Sequence, residues 1–134
     1  MKNQILAIIL LLLFSSCTEI NTTKPTEVYK NWTDSNPPKN LQLINGKYWQ
    51  SANWSKEYIM TLKIKPTKKW WYEFVSQNQL ELDTTKWIKP NDLPKWFKPS
   101  VNSIMYKMSG DFDQGSRYFF ENKSGECYIY EIQL

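Results

Sequence analysis

Apolar and polar positions follow two different patterns in this chain. From Ile5 to Phe14 every side chain is apolar, whereas from Leu41 onward apolar residues recur singly between polar ones. Over Tyr58–Lys65, residues Tyr58, Met60, Leu62 and Ile64 fall on one side and Ile59, Thr61, Lys63 and Lys65 on the other, the period-two signature of a strand with one buried face. Asn45-Gly46 reads as a turn before a short strand at Lys47–Gln50. Pro66 ends the long strand and Thr67 is an N-cap for a helix over Lys68–Gln79, with Trp70, Trp71, Phe74 and Val75 at helical spacing. Ser103–Met108 reads as a further strand. Arg117–Glu121 and Glu126–Gln133 form a hairpin around Asn122-Lys123-Ser124-Gly125. The expectation is an α+β fold: a four- or five-stranded, mostly antiparallel sheet with one helix packed on a face, in the order β-β-α-β-β-β, within residues 41–134.

Two segments fall outside these patterns. Thr18–Asn40 is rich in Thr, Asn, Lys and Pro, and is expected to be a flexible tether reaching roughly 75 Å when fully extended. Between the helix and the third strand, Lys86-Trp87-Ile88-Lys89-Pro90 recurs as Lys95-Trp96-Phe97-Lys98-Pro99, with Pro94 between them. Each proline disfavours a helical conformation for the residue before it, so this stretch reads as a stiff loop.

The apolar run follows a positive Lys2 and precedes the small residues Ser15 and Ser16. As a helix it would cover roughly 15 Å, half of a hydrocarbon core of about 30 Å, so it reads as a removable secretory leader and not as a spanning segment. Phe14-Ser15-Ser16-Cys17 resembles the lipobox of bacterial lipoproteins, with Phe14 where Leu is usual. The resemblance implies a signal peptide over 1–16, a diacylglycerol thioether on Cys17, and acylation of the new amine. It places the protein in the cell envelope, anchored to a membrane, and Thr18 after the cysteine favours the outer membrane in a Gram-negative cell. The implied division is a signal peptide (1–16), a lipidated N-terminus with tether (17–40) and one α+β domain (41–134). The folded part resembles small lipoproteins of no known activity that end in a similar aromatic hairpin.

Composition narrows the chemistry. The chain of 134 residues carries a net charge of +4 and contains no histidine, which excludes Ser-His-Asp and Cys-His catalysis and histidine-based metal sites. An exported chain without a long basic run is not a nucleic-acid binder. Of its two cysteines, Cys17 is assigned to lipid, which leaves Cys127 unpaired in an apparent strand as a buried thiol. Seven Trp and eight Tyr are a heavy aromatic load that fills a core or forms an adhesive face. Lys63, Lys65, Lys68 and Lys69 make the densest basic cluster, read as a solvated face.

The candidate binding residues are Trp87, Lys89, Trp96 and Lys98. Two Trp flanked by Lys on a stiff loop suit stacking on sugar rings or anchoring a protein partner, while the competing architectural reading has them packed over the sheet. Asp111 and Asp113 match only part of a calcium loop, whose twelfth position is Asn122 and not Glu. Asp111, Asp113 and Glu121 could supply the acid pair that a glycosidase would need. No cofactor and no metal is implied. The expected function is a membrane-anchored, non-catalytic binding or inhibitor module of the immunity type, more readily a binder than an enzyme, with a protein or glycan ligand. The alternatives are a carbohydrate-binding or carbohydrate-active protein using the Trp-rich loop, and a structural envelope lipoprotein.

Overall fold

The alternation over Tyr58–Lys65 forms the strand at the centre of the molecule. The structure, a computed structural model, describes residues 18–134; the leader and Cys17 lie outside the described residues. In chain order the elements are β1 (Ile20–Thr22), α1 (Pro25–Thr33), β2 (Gln42–Gln50), β3 (Tyr58–Lys65), α2 (Lys68–Gln77), β4 (Glu81–Leu82), β5 (Ile104–Lys107), a short 3-10 turn (Gly110–Phe112), β6 (Arg117–Phe120) and β7 (Cys127–Gln133). The fold is α+β. Seven strands make one antiparallel sheet in the order β1-β2-β3-β7-β6-β5-β4, with both helices on one face. Strands β3 and β5 to β7 and helix α2 lie where the periodicity places them. Thr67 caps α2 as expected, its Oγ1 accepting from the Trp70 N–H at 3.1 Å.

Three differences enlarge the sheet beyond the expected four or five strands and one helix. The two-residue β4 is too short to leave a pattern in sequence. Segment 18–40, expected as a tether, instead contains β1 and α1 and extends the packed unit to Ile20. Tyr29 and Val28 are buried, and Trp32 meets Tyr29 and Phe74 edge-on at 5.9 and 5.7 Å. The Thr22 hydroxyl and the Lys24 ammonium both donate to Glu27, at 2.6 and 3.1 Å, fixing the corner between β1 and α1. Those bonds hold the Glu27 carboxyl below its ordinary range.

Gly46 explains why α1 docks. It lies inside β2 opposite Leu62, just past a register shift between Leu43 and Asn45, and is not the turn that Asn45-Gly46 suggested. A Cβ at this position would lie 2.9 Å from Val28 Cγ2 and 3.2 Å from the Pro25 Cα. The bare backbone therefore lets the first turn of α1 rest on β2, with Val28 fully buried.

Both faces of the sheet are apolar. On the helix side Trp71 is fully buried, stacked on Phe120 at 5.8 Å with Tyr106 edge-on at 6.1 Å. Opposite, Phe119, Tyr128 and Tyr130 form a second core whose cover is the stretch between β4 and β5. Phe97, fully buried, meets Tyr128 and Phe119 edge-on at 5.4 and 6.2 Å. Burying each such ring contributes about 2–3 kcal/mol.

Polar anchors hold that loop at its ends. The Asp83 N–H donates to the Met105 carbonyl at 2.9 Å, while Asp83 Oδ1 accepts from the backbone and hydroxyl of Thr85. Asp83 Oδ2 lies 2.8 Å from Arg117 Nε, and Arg117 Nη1 lies 2.8 Å from Asp113 Oδ1. The Nε–H points off the line to Asp83, so this contact is a charge pair more than a directed hydrogen bond. At the far end Glu121 accepts from the Ser100 N–H and, at 2.6 Å, from its hydroxyl. Burial pushes the Asp83 carboxyl up, but the Thr85 bonds and the Arg117 charge outweigh it and leave it below its ordinary value of 3.8.

Gly46→Ala should lower stability in urea unfolding by about 1–3 kcal/mol through overpacking. In a Val28→Ala background part of that cost should vanish, because the double variant removes the 2.9 Å contact with Val28 Cγ2 and leaves those at 3.2 Å with the Val28 Cβ and the Pro25 Cα. Asp83, with a folded pKa below the unfolded one, contributes stability that is fully present above the unfolded value and is lost as pH falls through the folded one. The stability gap between the parent and Asp83→Asn should therefore hold steady above about pH 5 and narrow in more acid solution, as read by urea midpoints across the range.

Candidate functional site

The two Lys-Trp pentapeptides meet different surroundings. Trp87 leans on Phe119 at 5.0 Å, Tyr130 at 6.0 Å and Phe97 at 6.2 Å, and Trp96 packs on Phe97 at 5.9 Å. Both rings are half-buried members of the second core. Lys89 and Lys98 are exposed. They border, with Trp87, Lys86 and Ser100, an open groove of about 570 Å³, from which Trp96 is absent. The structure thus brings together three of the four candidate residues, with the Trp87 ring turned toward the sheet.

The segment between the pentapeptides builds a more enclosed site. Asp92, Leu93 and Pro94 stand at the edge of the loop's cover, beside the part of the face formed by β1, β2 and β3. A pocket of about 220 Å³ lies there, lined on the sheet side by Asn21, Lys47, Trp49, Ile59, Thr61 and Tyr130. Strand alternation selects these residues, since Tyr48, Met60 and Leu62 between them point into the helix-side core. Thr61 is 3% exposed and its hydroxyl has no hydrogen-bond partner. Trp49 is held by its indole N–H, which donates to Glu19 Oε1 at 2.6 Å. Burial, and next the negative charge of Asp92, raise the Tyr130 phenol above its ordinary value, so it remains a neutral donor. An aromatic and aliphatic wall with the amide of Asn21, the cation of Lys47 and the carboxylate of Asp92 suits a small ligand, or a side chain, of mixed polar and apolar character.

None of these pocket residues was singled out from sequence. The available signal was the four-residue spacer Asn91-Asp92-Leu93-Pro94 between two repeats, which marks a loop tip. The strand residues needed the topology. Phe97, the deepest residue of the loop, was likewise overshadowed by its neighbour Trp96.

The candidate acids are occupied elsewhere. Asp113 and Glu121 flank opposite ends of β6, one bound to Arg117 and the Gly115 N–H, the other to Ser100. They do not form a pair across a cleft. Glu131 accepts from both the Tyr58 and the Tyr118 hydroxyls, the latter at 3.0 Å, at the floor of a cleft of about 530 Å³ between α1 and α2. Burial, and then the Glu131 charge, push both phenols well above their ordinary range. They therefore act as fixed donors. Cys127 is fully buried, and burial raises its thiol far above the ordinary value, which makes it a poor nucleophile. The expected basic cluster is dispersed: Lys63 lies on the loop side, 2.9 Å from Glu126 and over the Tyr128 ring, and Lys69 faces Glu73 at 3.8 Å.

Among the described residues no helix is long and apolar enough to cross a membrane. Comparison with family models, with curated proteins and with solved structures found no match for the chain.

Thr61→Val keeps the β-branched shape and removes a hydroxyl that the protein leaves unpaired. It should raise the urea midpoint by an amount equivalent to about 1 kcal/mol, whereas Thr61→Ala, which opens a void, should lower it.

Proposed function

We propose that the chain is a membrane-anchored lipoprotein of the cell envelope, attached through Cys17, whose folded part is a non-catalytic binding or inhibitor module of the immunity type. The observation that carries the binding reading is the pocket at the loop tip, where Trp49, Ile59 and Leu93 stand beside the polar Asn21, Lys47, Thr61 and Asp92. Such a mixed lining suits a ligand that offers both apolar surface and hydrogen-bonding groups. The non-catalytic reading draws on residue types and their engagement. The chain has no histidine, and Asp83, Asp113 and Glu121 are tied to Arg117 and Ser100. Asp92 is the one carboxylate among the pocket's lining residues.

A glycan is the second reading, favoured by Trp49 beside Asn21, Lys47 and Asp92. A flat ring next to amide and charged groups suits the apolar face and the hydroxyls of a sugar. In either case the loop acts through its tip, and the two Trp of the repeats hold that tip in place.

The anchor is tested by fractionation and intact mass: the parent should partition with membranes and carry acyl chains on Cys17, and Cys17→Ala should appear in the soluble fraction. The site is tested with Leu93→Asp, which places a charge on the pocket wall; because Leu93 also packs against the second core, the variant is compared with the parent at equal folded fraction, read by urea unfolding. An envelope protein recovered by the parent and lost with this variant supports the inhibitor reading. Glycan-array binding lost in the same variant supports the sugar reading. Unchanged recovery of every ligand by Leu93→Asp would remove the pocket from the argument.

A further inference from the structure

The strand register gathers four segments at one end of the sheet. Ile20 lies opposite Gln50, Gln50 opposite Tyr58, Tyr58 opposite Gln133, and Tyr130 opposite Arg117. That end therefore holds the entry into β1, the connection between β2 and β3, the C-terminus, and the segment that leads into β6. The Leu134 N–H donates to Gln114 Oε1 at 2.8 Å, joining the last two. The Trp49–Glu19 bond described above joins the first to β2.

Each of three of these segments presents a large apolar side chain to solvent. Trp54, between β2 and β3, is fully exposed; Phe112 is 81% exposed and Leu134 70%. Sheet curvature does not account for them, because the two apolar cores are already covered by the helices and the loop. The fourth segment identifies what covers them. Three residue steps separate Cys17 from Ile20 in the sequence, a chain length of about 11 Å at full extension. The apolar run of residues 5–14 and the lipidation motif both precede that point. Whatever membrane-seeking group the N-terminus carries, it enters the fold beside Trp54.

We infer that this end of the sheet rests on the lipid bilayer, with Trp54, Phe112 and Leu134 in the interfacial layer and the sheet standing away from the surface. The inference rests on the membrane-anchor reading above and adds an orientation to it. Tryptophan suits the boundary, since its ring is apolar and its N–H finds headgroup or water acceptors. Three separated side chains add attachment to an N-terminal anchor without needing a continuous apolar face. In this orientation the groove beside Lys89 and Lys98 lies along the flank of the sheet, while the loop-tip pocket, lined by Asn21, Trp49 and Ile59 one residue in from Ile20, Gln50 and Tyr58, lies near the membrane-facing end.

The test uses the full chain, processed by its host, purified in detergent and reconstituted into phosphatidylethanolamine–phosphatidylglycerol vesicles with brominated acyl chains, which quench nearby indoles. Tryptophan emission of the parent should fall on reconstitution. Trp54→Phe should lose most of that quenching, Trp96→Phe should retain it, and Phe112→Trp in the Trp54→Phe background should restore it. Vesicle-bound protein whose quenching is the same with and without Trp54 overturns the orientation and leaves the anchor standing. A chain that does not sediment with vesicles and shows no acyl mass overturns both.

Discussion

The sheet is apolar on both sides, and the rest of the molecule follows from the need to cover it twice. Along β6 and β7, Tyr118, Phe120, Cys127 and Ile129 face the helices while Phe119, Tyr128 and Tyr130 face the other way. An antiparallel sheet often leaves one face to water, but rings on both faces make that costly. Helices take the first side. On the second the cover is an irregular segment, which must cross an apolar surface without the hydrogen bonds of a regular element. Pro90, Pro94 and Pro99 reduce the number of backbone donors that need partners there. Asp83, Thr85, Ser100 and Glu121 satisfy the ends, and the Phe97 N–H finds the Pro94 carbonyl at 2.9 Å. Stiffness and satisfied polar groups let a loop do what a helix does opposite.

The pocket is a consequence of where that cover stops. Over β5, β6 and β7 the loop is in contact with the sheet through Trp87 and Phe97, but β1, β2 and the near half of β3 extend past its tip. Strand residues on this uncovered part carry polar groups between apolar ones: Asn21, Lys47 and Thr61 beside Trp49 and Ile59. The boundary between a dry core and a wet strand face thus supplies an enclosed wall and hydrogen-bonding groups together. Trp87 and Trp96 are half-buried against the second core, and Trp87 at the same time borders the groove beside Lys89 and Lys98.

Local signals were legible in the sequence and long-range ones were not. Strand β3 runs over Tyr58–Lys65 because period-two alternation is a property of adjacent residues, and α2 begins at Lys68 because Thr67 and Pro66 are local stops and caps. Helix α1 left a weaker trace. Its N-cap is Lys24 without a side-chain bond, and its buried residues are Val28 and Tyr29 in an otherwise polar stretch. Its stability comes from Gly46, some twenty residues away and read in isolation as a turn. Strand β1 is three residues long and depends on pairing with β2. The candidate site was hidden for the same reason: Asn21, Lys47, Thr61 and Asp92 become neighbours only through strand order.

The sheet's margins have a bearing on how two copies of the chain meet. Its outermost strands, β1 and β4, are three and two residues long. An open strand margin is a template on which one copy can zip to the next. Past β1, whose partners are Tyr48, Trp49 and Gln50 alone, β2 runs from Gln42 to Lys47 with no strand among the described residues on its outer side, so the stretch on which a second copy could zip lies there and not on the short outermost strands.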